Sequence, residues 1–197
     1  MIGYRDIIDD GLPHYDTIRE SLKNAVKQTL EKDYDLVALG GHEQAIAHRI
    51  AVYLEHLFPE FSTDCEYNRN KHKAKNRRPE SPEDNRKMRP DIIVHRRNKP
   101  DNVLAIEMKA NANPATIEDL EKLKCLKSEN TYLYKGIAFV CVRNKVEEMA
   151  DGVLGATIDW YSMSGDTLCR EDKNHVSLKS DRHTEKVKKI LDQRRGE

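Results

Sequence analysis

The sequence predicts a mixed β-sheet flanked by helices, an α/β or α+β fold. Two observations carry this prediction. Apolar residues recur at helical spacing in residues 14–32 and 42–57, and shorter apolar runs of the kind found in strands follow them. Between residues 42 and 142 the predicted order of elements is α-β-β-β-α-β.

The N-terminal part of the chain is predicted to be helical. Residues 14–32 form the first helix, and Gly40-Gly41 breaks the chain after it, so residues 1–40 are interpreted as a helical extension. The second helix, residues 42–57, is marked by apolar residues three and four positions apart: Ile46, Ile50, Tyr53, Leu54 and Leu57. Pro59 ends this helix.

Three strands are expected next. Residues 61–68 alternate loosely between apolar and polar side chains and predict the first strand. Two apolar runs, residues 92–94 and 103–106, are joined by a polar turn and predict a hairpin. Residues 69–88 are polar and mostly basic, which predicts a mobile loop before the hairpin.

A third helix should open at Pro114 and run to about residue 127. Its inward side is predicted to carry Ile117, Leu120, Leu123 and Cys125 or Leu126. Asp119 and Lys122 then fall on its solvated side. Residues 136–142 are continuously apolar, which is typical of a strand buried on both faces.

The pattern weakens after residue 143. A short helix at 144–151, a strand at 156–161 and a charged terminal helix at 181–195 are the expectations there. No linker is apparent, so one domain spanning residues 1–197 is predicted. Its core covers about residues 42–142, and residues 143–197 form a C-terminal extension.

Composition narrows the classes of function. The 34 basic and 34 acidic residues cancel, so a nucleic-acid surface would have to come from local clustering. The four cysteines are far apart and form no CxxC pair, which argues against a zinc site and favours a reduced, cytoplasmic setting. No apolar run approaches the roughly 20 residues that span a bilayer, so no membrane partner is expected.

Charged residues stand where the two hairpin strands begin and end. Asp91 precedes the first apolar run, and Glu107 and Lys109 close the second. Because side chains two apart share a strand face, Glu107 and Lys109 point the same way. Asp91 joins them if the register pairs it with Glu107 or Lys109. Placing three charged side chains together beside a hydrophobic core costs stability, so such a cluster indicates a metal-binding or catalytic site.

These side chains have the chemistry of a metal site. Asp91 and Glu107 offer the oxygen ligands that hard divalent cations take, and Mg²⁺ prefers one or two carboxylates together with substrate phosphate. Lys109 could orient or deprotonate a water molecule, or neutralise charge on a phosphoryl transition state.

At these residues the chain resembles the PD-(D/E)xK nuclease superfamily, which includes type II restriction enzymes and many repair and recombination nucleases. Pro90-Asp91 matches the first half of the motif and Glu107-Met108-Lys109 the second. The order α-β-β-β-α-β is also the order of that family's core, so the resemblance covers about the middle half of the chain.

The resemblance implies a restriction-endonuclease-like core and Mg²⁺-dependent hydrolysis of phosphodiester bonds, with Mn²⁺ as a substitute. It implies that Asp91 and Glu107 ligate the metal together with the backbone carbonyl of Met108, while Lys109 positions the attacking water. Many members add an acid from the first core helix, and Glu43 matches it here. An alternative role for Glu43 is a first-turn acid that favours the helix dipole.

Basic residues near the motif are candidates for phosphate contacts. Arg89 could bind the scissile phosphate or simply pair with a neighbouring acid. The others lie in the 69–88 loop, for which a solvated, non-binding role is the alternative: Arg69, Lys71, Lys73, Lys75, Arg77 and Arg78.

Two further copies of the short motifs are expected to lie outside the site. Asp101, in a second Pro-Asp pair, lies on the same strand as Glu107 at a distance of roughly 20 Å, too far to share a metal. Glu171-Asp172-Lys173 repeats the ExK spacing in a polar stretch.

The leading hypothesis is a metal-dependent nuclease acting on DNA. The alternatives are a non-catalytic module that binds nucleic acid or protein, and a hydrolase of small phosphorylated molecules. Endonuclease or exonuclease action, DNA or RNA, and sequence preference are left open. The segment from residue 144 onward could provide specificity or a homodimer contact.

Overall fold

A computed structural model describes residues 11–70, 73–74, 88–128, 132–143 and 154–178, together with Glu185, Lys189 and Asp192. The helices are α1 (Tyr15–Lys32), α2 (Tyr34–Ala38), α3 (Glu43–Leu57) and α4 (Ile117–Lys127). The strands are β1 (Ser62–Cys65), β2 (Arg69–Asn70), β3 (Lys73–Ala74), β4 (Ile92–His95), β5 (Asn102–Lys109), β6 (Gly136–Arg143), β7 (Gly155–Ser164) and β8 (Thr167–Ser177).

Six strands form one open sheet in the order β1-β4-β5-β6-β7-β8. Strands β5 and β6 are parallel, and every other neighbouring pair is antiparallel. The helix α4 connects the two parallel strands, as a parallel pair requires a crossover. The predicted mixed sheet with flanking helices is therefore confirmed.

The two faces of the sheet carry different layers. On the α1/α3 face, alternate residues of the central strands such as Ile106, Met108 and Val140 belong to the same apolar cluster as the inward residues of α1 and α3. On the α4 face, Ala105 and Phe139 form a smaller cluster with the α4 residues. The larger cluster lies on the side away from Glu107 and Lys109, as alternation along β5 predicts.

The predicted inward side of α4 is confirmed for Leu123, Cys125 and Leu126, which are buried, but it is wrong at the start of the helix. Ile117 was expected inside, yet 79% of it is exposed, while Asp119 is buried. The cause is the helix start, because Thr116 and Asp119 form a capping box at the N-terminus. The inward stripe therefore passes through Asp119, Leu123 and Leu126.

Two other expectations need correction. Residues 69–88 are not entirely loop, because β2 and β3 pair as a short antiparallel ladder. The strand expected at 156–161 is present but longer, and β8 pairs beside it. The sequence did not predict β8, because it is an edge strand whose side chains are mainly polar and exposed.

Some predictions fall where the structure gives no description. The helix expected at 144–151 lies outside the described residues, and of the terminal helix only Glu185, Lys189 and Asp192 are described, each with helical backbone. In the described part of the chain, no helix combines the length and apolarity that crossing a membrane requires. The four cysteines are free thiols.

Candidate active site

The hairpin register brings Asp91 beside Glu107. Ile92 pairs with Ile106, so the residue before β4 lies across from Glu107. The Met108 backbone N–H donates a 2.7 Å hydrogen bond to Asp91 Oδ2 and holds the aspartate at the end of β5. Asp91 thus lies at the end of β5 that carries Glu107 and Lys109, close enough for its charge to raise the pKa of both residues.

Glu43 reaches the same end of the sheet from the first turn of α3. Its Oε2 accepts a 3.1 Å hydrogen bond from the Ala110 backbone N–H, and its Oε1 lies 3.5 Å from Lys109 Nζ. The residue is also placed where an acid favours the helix dipole, so the two roles predicted for it are compatible.

Lys109 lies between two carboxylates. Its Nζ is 3.5 Å from Glu43 Oε1 and 3.5 Å from Asp119 Oδ1. Burial on its own would lower the pKa of Lys109, but Asp119, Glu43 and Asp91 together raise it above its ordinary value. Lys109 is therefore an ammonium cation at neutral pH.

Asp119 links the lysine to the start of α4. Its Oδ2 accepts hydrogen bonds from the Thr116 backbone N–H at 2.9 Å and from the Thr116 hydroxyl at 2.7 Å. The other oxygen, Oδ1, faces Lys109. One buried carboxylate thus caps the helix and orients the lysine.

Glu107 is completely buried and its two oxygens have different surroundings. Lys122 Nζ donates to Oε2 at 2.8 Å, whereas Oε1 has no hydrogen-bond partner among the described residues. Burial, and after it the nearby Asp91 carboxylate, raises the pKa of Glu107 to about 8 against the opposing effect of Lys122. Burial would lower the pKa of Lys122, but its contact with Glu107 raises it.

Asp91 also faces a cleft of about 250 Å³ between α3 and the end of β1. Burial raises the pKa of Asp91, although the Met108 N–H and Lys122 oppose that rise. The cleft gives solvent and small groups a path to the aspartate from the α3 side. It is lined by Glu43, Gln44, Ala47, Cys65, Glu66 and Asp91.

Sequence reasoning missed Asp119 and Lys122, which had been placed on the solvated side of α4. Both in fact contact the motif residues, through Lys109 and Glu107 respectively. The signal was available in the Thr116–Asp119 capping pair. A stripe drawn from Asp119 places Lys122 and Leu123 on the inward side of the helix.

The carboxylate oxygens of the site are the ligand type that hard divalent cations prefer, but they do not form a complete coordination shell. Within the described ranges, no three His, Cys, Asp or Glu side chains are arranged to hold a metal ion. Asp91 nevertheless lies close enough to Glu107 to raise its pKa, and Glu107 Oε1 is a buried oxygen with no hydrogen-bond partner in the described part of the chain. Proteins usually bind Mg²⁺ through only one or two carboxylates, and water completes its coordination shell. The number and type of ligands in this pair therefore match what Mg²⁺ requires.

The structure describes only some of the residues predicted to bind phosphate. Arg89 is exposed two positions before Asp91. Arg69 and Lys73 belong to β2 and β3, and only their backbone is described. The remaining candidates lie outside the described residues: Lys71, Lys75, Arg77 and Arg78.

The two additional motif copies do not converge on the site. Asp101 pairs with Arg96 at the turn between β4 and β5, at 3.0 Å. On β8, the Tyr15 hydroxyl donates to Glu171, whereas Lys173 faces Asp159. Position in the sheet, rather than the motif itself, distinguishes Glu107-Met108-Lys109.

Comparisons with known proteins identify no relative: no protein-family model, no curated protein and no solved structure matches this chain. Its function is therefore inferred from the site itself.

Proposed function

We propose that this protein is a metal-dependent nuclease that hydrolyses phosphodiester bonds, with DNA as its substrate. One observation carries the proposal: Asp91, Glu107 and Lys109 meet at the end of β5, where one buried oxygen of Glu107 has no hydrogen-bond partner among the described residues. A buried carboxyl oxygen without a partner is costly, and it offers a cation an unused ligand. The resemblance to PD-(D/E)xK nucleases supports the same assignment.

Asp91 and Glu107 would hold the metal ion, and Glu43 would contribute from the rim of the cleft. The Met108 carbonyl is a ligand that the resemblance alone implies. When bound, Mg²⁺ or Mn²⁺ supplies Lewis-acid stabilisation of the charge that develops on the phosphoryl group. The hydrogen bond from the Met108 N–H fixes Asp91 Oδ2 at the end of β5.

Lys109 is suited to positioning water and stabilising negative charge. The charges of Asp119, Glu43 and Asp91 keep it protonated, since they raise its pKa despite burial. A protonated lysine cannot accept a proton from water, so the deprotonating role considered from the sequence is the less favourable one. Its N–H groups can instead donate to the attacking water or to a phosphate oxygen.

The first test replaces the motif residues one at a time. In Mg²⁺ or Mn²⁺, Asp91→Asn and Lys109→Met should each slow cleavage of supercoiled plasmid DNA by about 100-fold or more. Lys124→Met is the matched control, because Lys124 is an exposed lysine on α4. Thermal unfolding confirms that each variant is folded. Folded Asp91→Asn and Lys109→Met proteins that cut plasmid as fast as the parent would refute the proposal.

The second candidate is a non-catalytic binding module on the same fold. It is favoured by the ion pairs that already neutralise the acids, Lys122 with Glu107 and Lys109 with Glu43 and Asp119. Isothermal titration with Mn²⁺ separates the two. The nuclease should bind Mn²⁺ and lose that binding in Asp91→Asn, whereas the module need not bind it.

A further inference from the structure

The α4 face of the sheet continues beyond the candidate site to the edge strand. Lys109 pairs with Cys141, Cys141 with Thr157, and Thr157 with His175. Residues paired across neighbouring strands point to the same face of a sheet. The strip that leads from Lys109 to β8 is therefore one continuous surface.

Basic side chains collect on the outer part of this surface. Arg143 ends β6 on the same face as Cys141, and it is exposed. Arg170 and Lys173 of β8 have side chains that are 58% and 40% exposed. Both lie 3.8 Å from Asp159 Oδ1, which accepts no hydrogen bond from the part of the chain that the structure describes. Arg170 and Lys173 thus flank one carboxylate, and Arg143 adds a third positive charge farther along the same face, so that positive charge is in local excess.

The acids of β8 are turned to the opposite side. Glu171 accepts a 2.6 Å hydrogen bond from the hydroxyl of Tyr15, and Asp172 pairs with Arg19. Both partners belong to α1, which covers the other face. The strand therefore segregates its charges, with acids toward α1 and bases on the side of the candidate site. Because the formal net charge of the whole chain is zero, this local separation is not a result of overall composition.

We propose that Arg143, Arg170 and Lys173 form a basic surface that binds the phosphate backbone of the nucleic acid beside the candidate site. Lys109 and β8 are three strand spacings apart, about 14 Å. That distance equals the axial rise of about four nucleotides of one DNA strand. The basic surface would then contact phosphates a few nucleotides from the scissile bond. The identity of the ligand rests on the proposed function, but its binding can be measured without cleavage.

The test compares two variants of equal charge. In the surface variant, Arg143, Arg170 and Lys173 are all replaced by Gln. In the control variant, three lysines on other elements are replaced by Gln: Lys23 and Lys27 of α1, and Lys99 between β4 and β5. Binding of fluorescein-labelled single and double strands of about 20 nucleotides is followed by anisotropy in EDTA, between about 50 and 200 mM NaCl.

The surface variant should bind at least about tenfold more weakly at the lowest salt, and its slope of log affinity against log salt should be shallower by about 2 to 3. The control should stay within about twofold of the parent. The single variant Arg143→Gln leaves both partners of Asp159, Arg170 and Lys173, in place. It should also weaken binding, so the surface can still be tested if the triple variant does not fold.

Two results would overturn the basic surface: equal binding by the surface variant and the control, or a parent protein that binds neither strand. The proposed function fails separately. If the parent binds nucleic acid through these residues but does not cleave it in Mg²⁺ or Mn²⁺, the basic surface is supported and the nuclease proposal is refuted. If the parent cleaves and the surface variant has the same KM as the parent, the nuclease proposal is supported and the basic surface is refuted.

Discussion

Glu107 shows at the residue scale how the candidate site leaves a buried acid only partly satisfied. A fully buried carboxylate normally needs partners for both oxygens, and here Lys122 satisfies one of them. The other oxygen has no hydrogen-bond partner among the described residues, and the charge of Asp91 helps to raise the pKa of Glu107. In the metal-free protein this arrangement costs stability whenever Glu107 is ionised.

That cost predicts an unusual dependence of stability on pH. The pKa of Glu107 is about 8 in the folded protein, against an ordinary value of 4.5. Between these values the folded state binds more protons than the unfolded chain, so the free energy of unfolding falls as pH rises, by up to about 1.4 kcal/mol per pH unit. The loss is complete once the pH exceeds the folded value.

Urea unfolding in EDTA, at several pH values from about 5 to about 8, measures this effect. Glu107→Gln cannot titrate, so its free energy of unfolding should fall less than that of the parent across this range. Glu121→Gln, at an exposed position of α4, should follow the parent. Identical pH slopes in the parent and Glu107→Gln would show that Glu107 is ionised in the folded protein at ordinary pH.

At the scale of elements, local patterns identified most of the sheet core and the motif strands. The helical spacing in α3 and the apolar runs of β4, β5 and β6 correspond to the elements observed. Alternation along β5 correctly placed Glu107 and Lys109 on one face. These predictions succeeded because burial and periodicity within one element are properties of neighbouring residues.

The remaining parts depend on contacts between distant residues. The orientation of α4 follows from its cap and from Lys122 reaching Glu107, which lies 15 positions earlier on another element. Strand β8 owes its position to pairing with β7 rather than to an apolar pattern of its own. A polar edge strand carries too weak a periodic signal to be recognised in isolation.

Helix α4 provides a test that separates capping from chemistry. Thr116→Ala removes the cap and should lower the free energy of unfolding by about 1 kcal/mol, with little effect on cleavage by the folded protein. Asp119→Asn keeps an oxygen for the cap but removes the charge beside Lys109. It should lower the cleavage rate about tenfold. It should also lower the pKa of Lys109, since Asp119 helps to raise it.

The pH profile of cleavage distinguishes these effects. With a lower pKa for Lys109, Asp119→Asn should lose activity at a lower pH on the alkaline side than the parent does. Thr116→Ala should keep the profile of the parent. If both variants lose activity only in proportion to their loss of stability, Asp119 acts as a helix cap and not as a positioning residue for Lys109.

In the whole molecule, packing and charge occupy different faces of one sheet. The α1/α3 face holds the larger apolar cluster, and the buried charged groups of the candidate site gather on the α4 face at the end of β5. Glu43 connects the two, because it starts on α3 and reaches Lys109 past Ala110. Stability and the site should therefore be largely separable.

Leu22→Ala tests that separation. Leu22 is fully buried in the α1/α3 cluster, so its truncation should lower the free energy of unfolding by about 2–5 kcal/mol. Leu39→Ala, at a side chain that is 54% exposed, should change it by less than about 0.5 kcal/mol. Plasmid cleavage is then measured well below the melting temperature, at equal concentrations of folded protein.

Leu22→Ala should cleave at nearly the parental rate, because no side chain of the described helix α1 contacts the residues of the candidate site. A large loss of cleavage in folded Leu22→Ala would show that α1 controls the position of Glu43 through α3.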